Sequence, residues 1–235
     1  MENITKKNQL FFDFGRDYDA ELTNFFFSKK NQVLKNELIE VIDSGQNKDI
    51  FISGKNGSGK TFLLNSLLNN QKSANKSNIY IDLSELDGSK DYFAELNQFD
   101  LICLDNLDKI KEKIEVQVFN LINDCKQSST NLIFASSLNP SKLSFLPDLI
   151  SRLKQINHFY INEIGDEEVL DCIIFIVNKL NLNFSDDVME FISKRTRRDF
   201  SSIKKTIQDL EKFLYSEKKE PTKNSVSSFF KEYKN

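Results

Sequence analysis

Gly54-Lys55-Asn56-Gly57-Ser58-Gly59-Lys60-Thr61 places a primary amine and a hydroxyl at the end of a glycine-rich turn. The pattern is G-x-x-x-x-G-K-[ST], and its chemistry is to hold a chain of phosphates. Glycines let successive backbone N–H groups face inward, and a helix starting at the turn adds the positive end of its dipole. Gly54, Asn56, Gly57, Ser58 and Gly59 are therefore candidate phosphate contacts. Lys60 would reach the outer phosphates, and the Thr61 hydroxyl would ligate Mg²⁺. A loop that binds nucleotide but hydrolyses it slowly fits the same pattern.

Leu101-Ile102-Cys103-Leu104-Asp105 is an apolar run that ends in a carboxylate. In a buried parallel strand, Asp105 emerges at the C-terminal edge, where it can meet the ion held by Thr61. Asn106 follows, and an amide cannot take a proton from water. Weak intrinsic hydrolysis is expected unless another acid serves. Asp108 and Glu112 are nearby acids, and solvated charge is their plainer explanation. Ser137, at the tip of an apolar run over 132–135, could sense a terminal phosphate or simply turn the chain. Arg152, in the segment 146–153, could stabilise transferring charge in a neighbour's site or be a surface arginine.

The elements that must position these groups are written in the hydrophobic pattern. Val33, Leu34, Leu38, Val41 and Ile42 recur at helical intervals, and Ile50-Phe51-Ile52 reads as the strand before the loop. Further strands are expected at 79–83, 101–105, 132–135 and 158–161. Helices are expected at 61–70, around Tyr92, Phe93 and Leu96, and at 114–126 and 146–153. Phe25, Phe26 and Phe27 lie in the entry segment, positioned either to stack on a base or to pack in the core. After Asn162 the pattern becomes wholly helical, with Ser185 as a cap for 186–194 and further helices over 199–216 and from Pro221. The basic run Lys194-Arg195-Thr196-Arg197-Arg198 would contact phosphates from this helical part or form a solvated turn.

Composition narrows the class. The 235 residues are 39% hydrophobic and 29% charged, as expected of a folded globule. The 32 basic and 35 acidic residues leave a net charge of −3, which argues against a protein whose main task is coating nucleic acid. Cys103, Cys125 and Cys172 lack metal-site or disulfide spacing and read as buried thiols in a reducing compartment. No apolar stretch reaches membrane-spanning length, and Met1–Lys7 is not followed by a signal-peptide core. A cytoplasmic location without membrane contact is the expectation.

Gln9-Leu10-Phe11-Phe12-Asp13-Phe14 sets bulky apolar groups in a polar tail, and reads as a docking peptide or as a segment packed on its own domain. With this peptide, the phosphate loop, Leu104-Asp105-Asn106, Leu146-Pro147-Asp148-Leu149-Ile150-Ser151-Arg152-Leu153 and Arg198-Asp199-Phe200 in view, the chain resembles the DnaA-related AAA+ proteins. Within them it is most like the regulatory inactivators of the initiator DnaA. The resemblance implies an α/β fold: a P-loop AAA+ base with a parallel sheet flanked by helices, and a small C-terminal all-helical lid. It divides the chain into a tail with a clamp-binding peptide (1–24), the base (25–162) and the lid (163–235).

The same resemblance implies roles. Gln9, Leu10, Phe11, Phe12 and Phe14 would bind the sliding clamp, the beta subunit of DNA polymerase III. Arg152 would be an arginine finger offered in trans to ATP on DnaA. Ser137 and Arg198 would complete the binding of ADP or ATP, and Thr61 and Asp105 would hold Mg²⁺. Ser137 departs from the family's usual Asp-bearing turn, whereas the phosphate loop is complete. DNA would be met through the clamp, and a homo-oligomer is allowed. The implied function is stimulation of DnaA-bound ATP hydrolysis on the DNA-loaded clamp, preventing re-initiation. The alternatives are an adaptor that recruits DnaA without stimulating hydrolysis, an active ATPase or helicase loader, and a DNA-binding module based on Lys194–Arg198.

Overall fold

A computed structural model describes residues 19–43, 48–72 and 76–233. The clamp-peptide candidates Gln9, Leu10, Phe11, Phe12 and Phe14 lie outside the described residues.

Five short runs form one parallel sheet: β1 (Ile50–Ser53), β2 (Asn78–Asp82), β3 (Leu101–Asp105), β4 (Asn131–Ser136) and β5 (Asn157–Tyr160). Their order across the sheet is β2-β3-β4-β1-β5, with every pairing parallel. β1, β3 and β4 are buried along their whole length. Both faces are covered, so these strands are apolar throughout instead of alternating with polar residues.

Side-chain alternation sorts the strands into two cores. Ile50, Ile52, Leu101, Cys103, Ile133 and Ala135 pack on one face. There they meet Leu34 and Leu38 of α1 (Gln32–Asp43) and Leu64 and Leu68 of α2 (Lys60–Lys72). Phe51, Ile102, Leu104, Leu132 and Phe134 face the other way. They bury Val118 and Ile122 of α3 (Glu112–Cys125) and Leu149 and Leu153 of α4 (Pro147–Leu153). Each such aliphatic side chain contributes about 1.5–3 kcal/mol when fully buried.

The helical part has its own apolar cluster, in which Cys172, Ile173, Ile203, Ile207, Leu210 and Phe229 are central. They come from α5 (Val169–Lys179), α7 (Phe200–Ser216) and α8 (Lys223–Tyr233), and α6 (Asp186–Ser193) adds Val188 and Ile192. This is the expected α/β base with a C-terminal helical lid.

Three local expectations are corrected. The segment around Tyr92, Phe93 and Leu96 makes no α-helix, only a 3-10 turn at Leu96–Gln98. There the Asp91 side chain accepts the Phe93 N–H at 3.0 Å, and Glu95 takes the left-handed conformation (φ 64°), which interrupts helical winding. The Ser185 hydroxyl does not cap α6. Its backbone carbonyl instead accepts the Val188 and Met189 N–H groups, each at 3.0 Å. The last helix begins at Lys223, after Thr222 Oγ1 has accepted the Ser225 N–H at 3.3 Å.

Candidate functional site

The site lies at the C-terminal edge of the sheet, where β1 runs into the glycine-rich loop and the loop into α2. Gly57 (φ 78°) and Gly59 (φ 94°) take left-handed conformations that an L side chain resists. At Gly59 space is also lacking, because a Cβ there would stand 2.5 Å from Cε2 of Phe25. The Ser58 hydroxyl is buried within the loop and has no hydrogen-bond partner among the described residues. A buried hydroxyl without a partner beside a cradle of glycine N–H groups fits an anionic phosphate oxygen.

Lys60 is buried, and its Nζ donates to the carbonyls of Gly54 at 2.8 Å and Lys55 at 3.0 Å. Burial lowers its pKa, and the charges of Asp105 and Asp108 act in the opposite direction. Thr61, on the first turn of α2, donates its hydroxyl to Asp105 Oδ2 at 2.5 Å. This is the expected meeting of the loop with the end of β3.

Asp105 is 1% exposed, and three donors hold its carboxylate. Besides Thr61, the Tyr80 phenol donates to Oδ2 at 3.0 Å, and the Asn106 N–H donates to Oδ1 at 2.7 Å. Tyr80 comes from β2, two residues before Asp82, the register partner of Asp105. Burial raises the Tyr80 pKa, and the neighbouring Asp105 charge raises it further. Tyr80 is a site residue that sequence reasoning missed.

Asn106 has φ 55° and turns its amide toward β2. Its Nδ2 donates to Asp82 Oδ2 at 2.9 Å, and its Oδ1 accepts from Lys109 Nζ at 2.9 Å. On the other side of Asp105, the tip of β4 closes against the loop. Ser137 Oγ donates to Asn56 Oδ1 at 3.0 Å, and the Ser137 N–H donates to Asp108 Oδ1 at 2.7 Å. Gly54, Asn56, Gly57, Ser58, Gly59, Lys60, Thr61, Asp105 and Ser137 are thus gathered at one sheet edge.

Arg198 lies just before the start of α7 and makes its contact within the lid. Its guanidinium pairs with Asp166 at 2.6 Å, and both side chains are largely exposed. The residue that meets the loop from the lid is Ser201, in the first turn of α7, whose hydroxyl donates to the Gly57 carbonyl at 3.1 Å. Three residues separate the two positions, close to one helical turn. The Asp199 side chain accepts the Ser202 N–H at 2.7 Å, which caps α7 and fixes this rotation.

Phe25 and Phe27 are buried, with ring centroids 4.6 Å apart, and Phe25 also stacks near Phe62 and Phe200. Phe26 packs near Phe175 of the lid. Core packing is therefore what the three rings do here. The space lined by Phe25, Phe26, Gly57, Ser58 and Phe200 is about 30 Å³. Small-molecule sites run to roughly 300–1,000 Å³. A nucleoside does not fit this gap as it stands, whereas a cleft of about 310 Å³ lies beside Gly59, lined by Phe25, Phe62, Phe200 and Ser201.

Arg152 stands apart, on the last turn of α4. Its guanidinium lies 5.9 Å from the ring centroid of Phe119 on α3, and no carboxylate pairs with it among the described residues. The start of α4 is fixed by Glu115, a buried residue of α3 whose Oε2 accepts the Leu146 N–H at 2.6 Å.

His158 lies on the edge strand β5, and its Nε2 is 2.6 Å from the hydroxyl of buried Ser53. Burial lowers its pKa. Cys103, Cys125 and Cys172 are buried and form no disulfide. Burial is the main cause raising the thiols of Cys125 and Cys172 to about 12. No group of histidine, cysteine and acidic residues suited to a metal ion occurs among the described residues. A Mg²⁺ at Thr61 and Asp105 would be a different arrangement, one completed by phosphate oxygens and water.

A strand, phosphate loop and helix on a β2-β3-β4-β1-β5 parallel sheet, capped by a helical lid, define an AAA+ P-loop fold. Domain III of the initiation protein DnaA from Thermotoga maritima superposes with a TM-score of 0.78 at 20% identity, over 94% of this chain and 99% of that one. AMPPCP-bound DnaA from Aquifex aeolicus gives a TM-score of 0.73 at 23% identity, over 84% and 67%. No protein-family model matches the chain. An uncharacterized protein of Haemophilus influenzae is 30% identical over 203 residues, covering 83% of this chain and 86% of that protein. The chain belongs to the same family as that protein. Among the described residues no helix is long and apolar enough to cross a membrane.

Proposed function

We propose that this chain is an Hda-like regulator of replication initiation. It docks on the DNA-loaded sliding clamp and stimulates hydrolysis of ATP held by DnaA. Residues 1–24 carry the address, 25–162 form the base and 163–235 the lid. Gln9, Leu10, Phe11, Phe12 and Phe14 engage the clamp, and Arg152 enters the initiator's nucleotide site. The observation that carries this reading is the placement of Arg152. It stands on α4, away from the chain's own phosphate loop, with no acidic partner among the described residues. An arginine supplied in trans stabilises the charge of a transferring phosphoryl group.

The chain's own site holds ADP or ATP through the loop N–H groups, Ser58 and Lys60, with Ser137 at its edge and Mg²⁺ at Thr61 and Asp105. Bound Mg²⁺ supplies charge neutralisation between the outer phosphates. The protein's contribution is orientation, since Tyr80 and the Asn106 N–H fix the carboxylate that fixes Thr61. The AMPPCP-bound form of the similar DnaA fold supports a nucleotide at this loop. A complete loop also favours a second reading, an ATPase or loader acting on its own nucleotide.

The test mixes this protein, clamp-loaded DNA and DnaA-ATP, and follows phosphate release with each component omitted in turn. Release that needs all three supports the proposal. Equal release without the clamp or without this protein overturns it, and rapid release by this protein alone selects the second reading.

A further inference from the structure

The residue after Asp105 cannot serve as an acceptor for a water proton. Asn106 is an amide, its Oδ1 and Nδ2 are engaged by Lys109 and Asp82, and its left-handed backbone turns it toward the edge of the sheet. A different carboxylate faces the loop. Asp108 lies in the 3-10 turn Leu107–Lys109, which brings the chain back from β3 across the end of β4. One oxygen, Oδ1, accepts the Ser137 N–H at 2.7 Å. The same Ser137 donates its hydroxyl to Asn56 in the phosphate loop. Asp108 is thereby tied through one residue to the loop itself, while Oδ2 has no partner among the described residues. Its charge and that of Asp105 are the two carboxylate charges that act on Lys60. The half-buried Asp108 therefore stands on the Ser137 side of the loop, with one anchored and one available oxygen.

We propose that Asp108 is the catalytic base of this chain's own nucleotide hydrolysis, orienting the attacking water and taking its proton. The inference rests on the reading of the loop as an ATP site. The water oxygen forms a bond to the γ-phosphorus as the bond from that phosphorus to the β–γ bridging oxygen breaks. The electron pair leaves with ADP. The water proton passes to Asp108 Oδ2 and then to solvent, leaving ADP and inorganic phosphate. Anchoring through Oδ1 keeps the carboxylate in one orientation, which general-base catalysis requires.

Asp108→Asn is a near-isosteric test, because the amide oxygen still accepts the Ser137 N–H while the proton acceptor is lost. Single-turnover hydrolysis is measured with the full chain in excess over ATP and Mg²⁺. The variant is expected to be about 100-fold slower, within the usual range for removal of a general base. Calorimetric titration gives a second readout. ADP should bind both proteins equally, whereas ADP with aluminium fluoride, a mimic of the transferring phosphoryl group, should bind the variant at least about ten-fold more weakly. Asp108→Glu should recover part of the rate. Unchanged turnover and unchanged aluminium fluoride affinity in Asp108→Asn overturn the proposal, as does a wild-type protein that binds ATP without converting it. Absence of any nucleotide binding by the wild type overturns the reading of the loop instead.

Discussion

The Tyr80 phenol and the Asp105 carboxylate lie 3.0 Å apart, both buried, on adjacent strands of the sheet. The pair fixes an acid side chain that also accepts from Thr61. Tyr80→Phe keeps the ring volume and removes only the hydroxyl. A buried hydrogen bond to a charged group is worth roughly 1.5–3 kcal/mol, so unfolding by urea should show a loss of that size. A midpoint equal to wild type would show that the phenol contributes nothing to holding Asp105.

Gly59 combines a left-handed backbone with contact against Phe25. Gly59→Ala should therefore suffer twice, and Phe25→Ala should relieve only the steric part. We expect a loss of about 1–3 kcal/mol from the backbone alone, together with weaker nucleotide binding. Thermal denaturation of the single and double variants separates the two costs.

Lys60→Ala removes the buried ammonium that now satisfies the Gly54 and Lys55 carbonyls. Nucleotide affinity should fall at least about ten-fold, in line with the loss of one charge-assisted phosphate contact. Titration calorimetry with ADP and ATP reads the change directly, and equal dissociation constants would remove Lys60 from the binding site.

Arg152→Ala should leave the fold, the clamp interaction and the chain's own nucleotide affinity intact. Stimulation of DnaA-bound ATP hydrolysis should fall by about 10³-fold or more. Gln9→Ala with Leu10→Ala should lose clamp capture in a pull-down and, with it, the clamp-dependent stimulation. Normal stimulation by Arg152→Ala would end its assignment as a finger.

His158 is the only histidine, so a single imidazole resonance reports it. Burial depresses its pKa below the ordinary imidazole value of 6.5. Between the folded and the ordinary value the unfolded chain carries the extra proton, so stability rises with pH across that window and is lost as acid is added. An NMR titration should give a midpoint below 6.5. His158→Gln should flatten this part of the stability profile, and a midpoint at or above the ordinary value would contradict the burial argument.

The phosphate loop and Asp105 were legible because each is a local pattern, a glycine turn or an apolar run ending in an acid. The sheet followed, since β1, β3 and β4 are buried on both faces and therefore continuous in apolar residues. Tyr80 was hidden because its partner is 25 residues away and meets it only through strand pairing. In sequence it is simply an aromatic residue in a strand. Arg198 is the residue a sequence reading names because charge is conspicuous, whereas Ser201 goes unnoticed because helix rotation is not written in the sequence. The Asp199 cap and the Asp166 ion pair decide which of the two faces the loop. Asn106 reads as an amide that cannot take a proton from water, and its side chain turns to Asp82 and Lys109 while its N–H still serves Asp105.

Glu115 grips the first turn of a helix only seven residues long, and Arg152 stands on the last. So short a rod has little tolerance at its pivot, and a small tilt at one end displaces the guanidinium at the other. If the proposed function holds, Glu115→Gln would detune the reach of the arginine from the core of α3, through the contact that sets the start of α4.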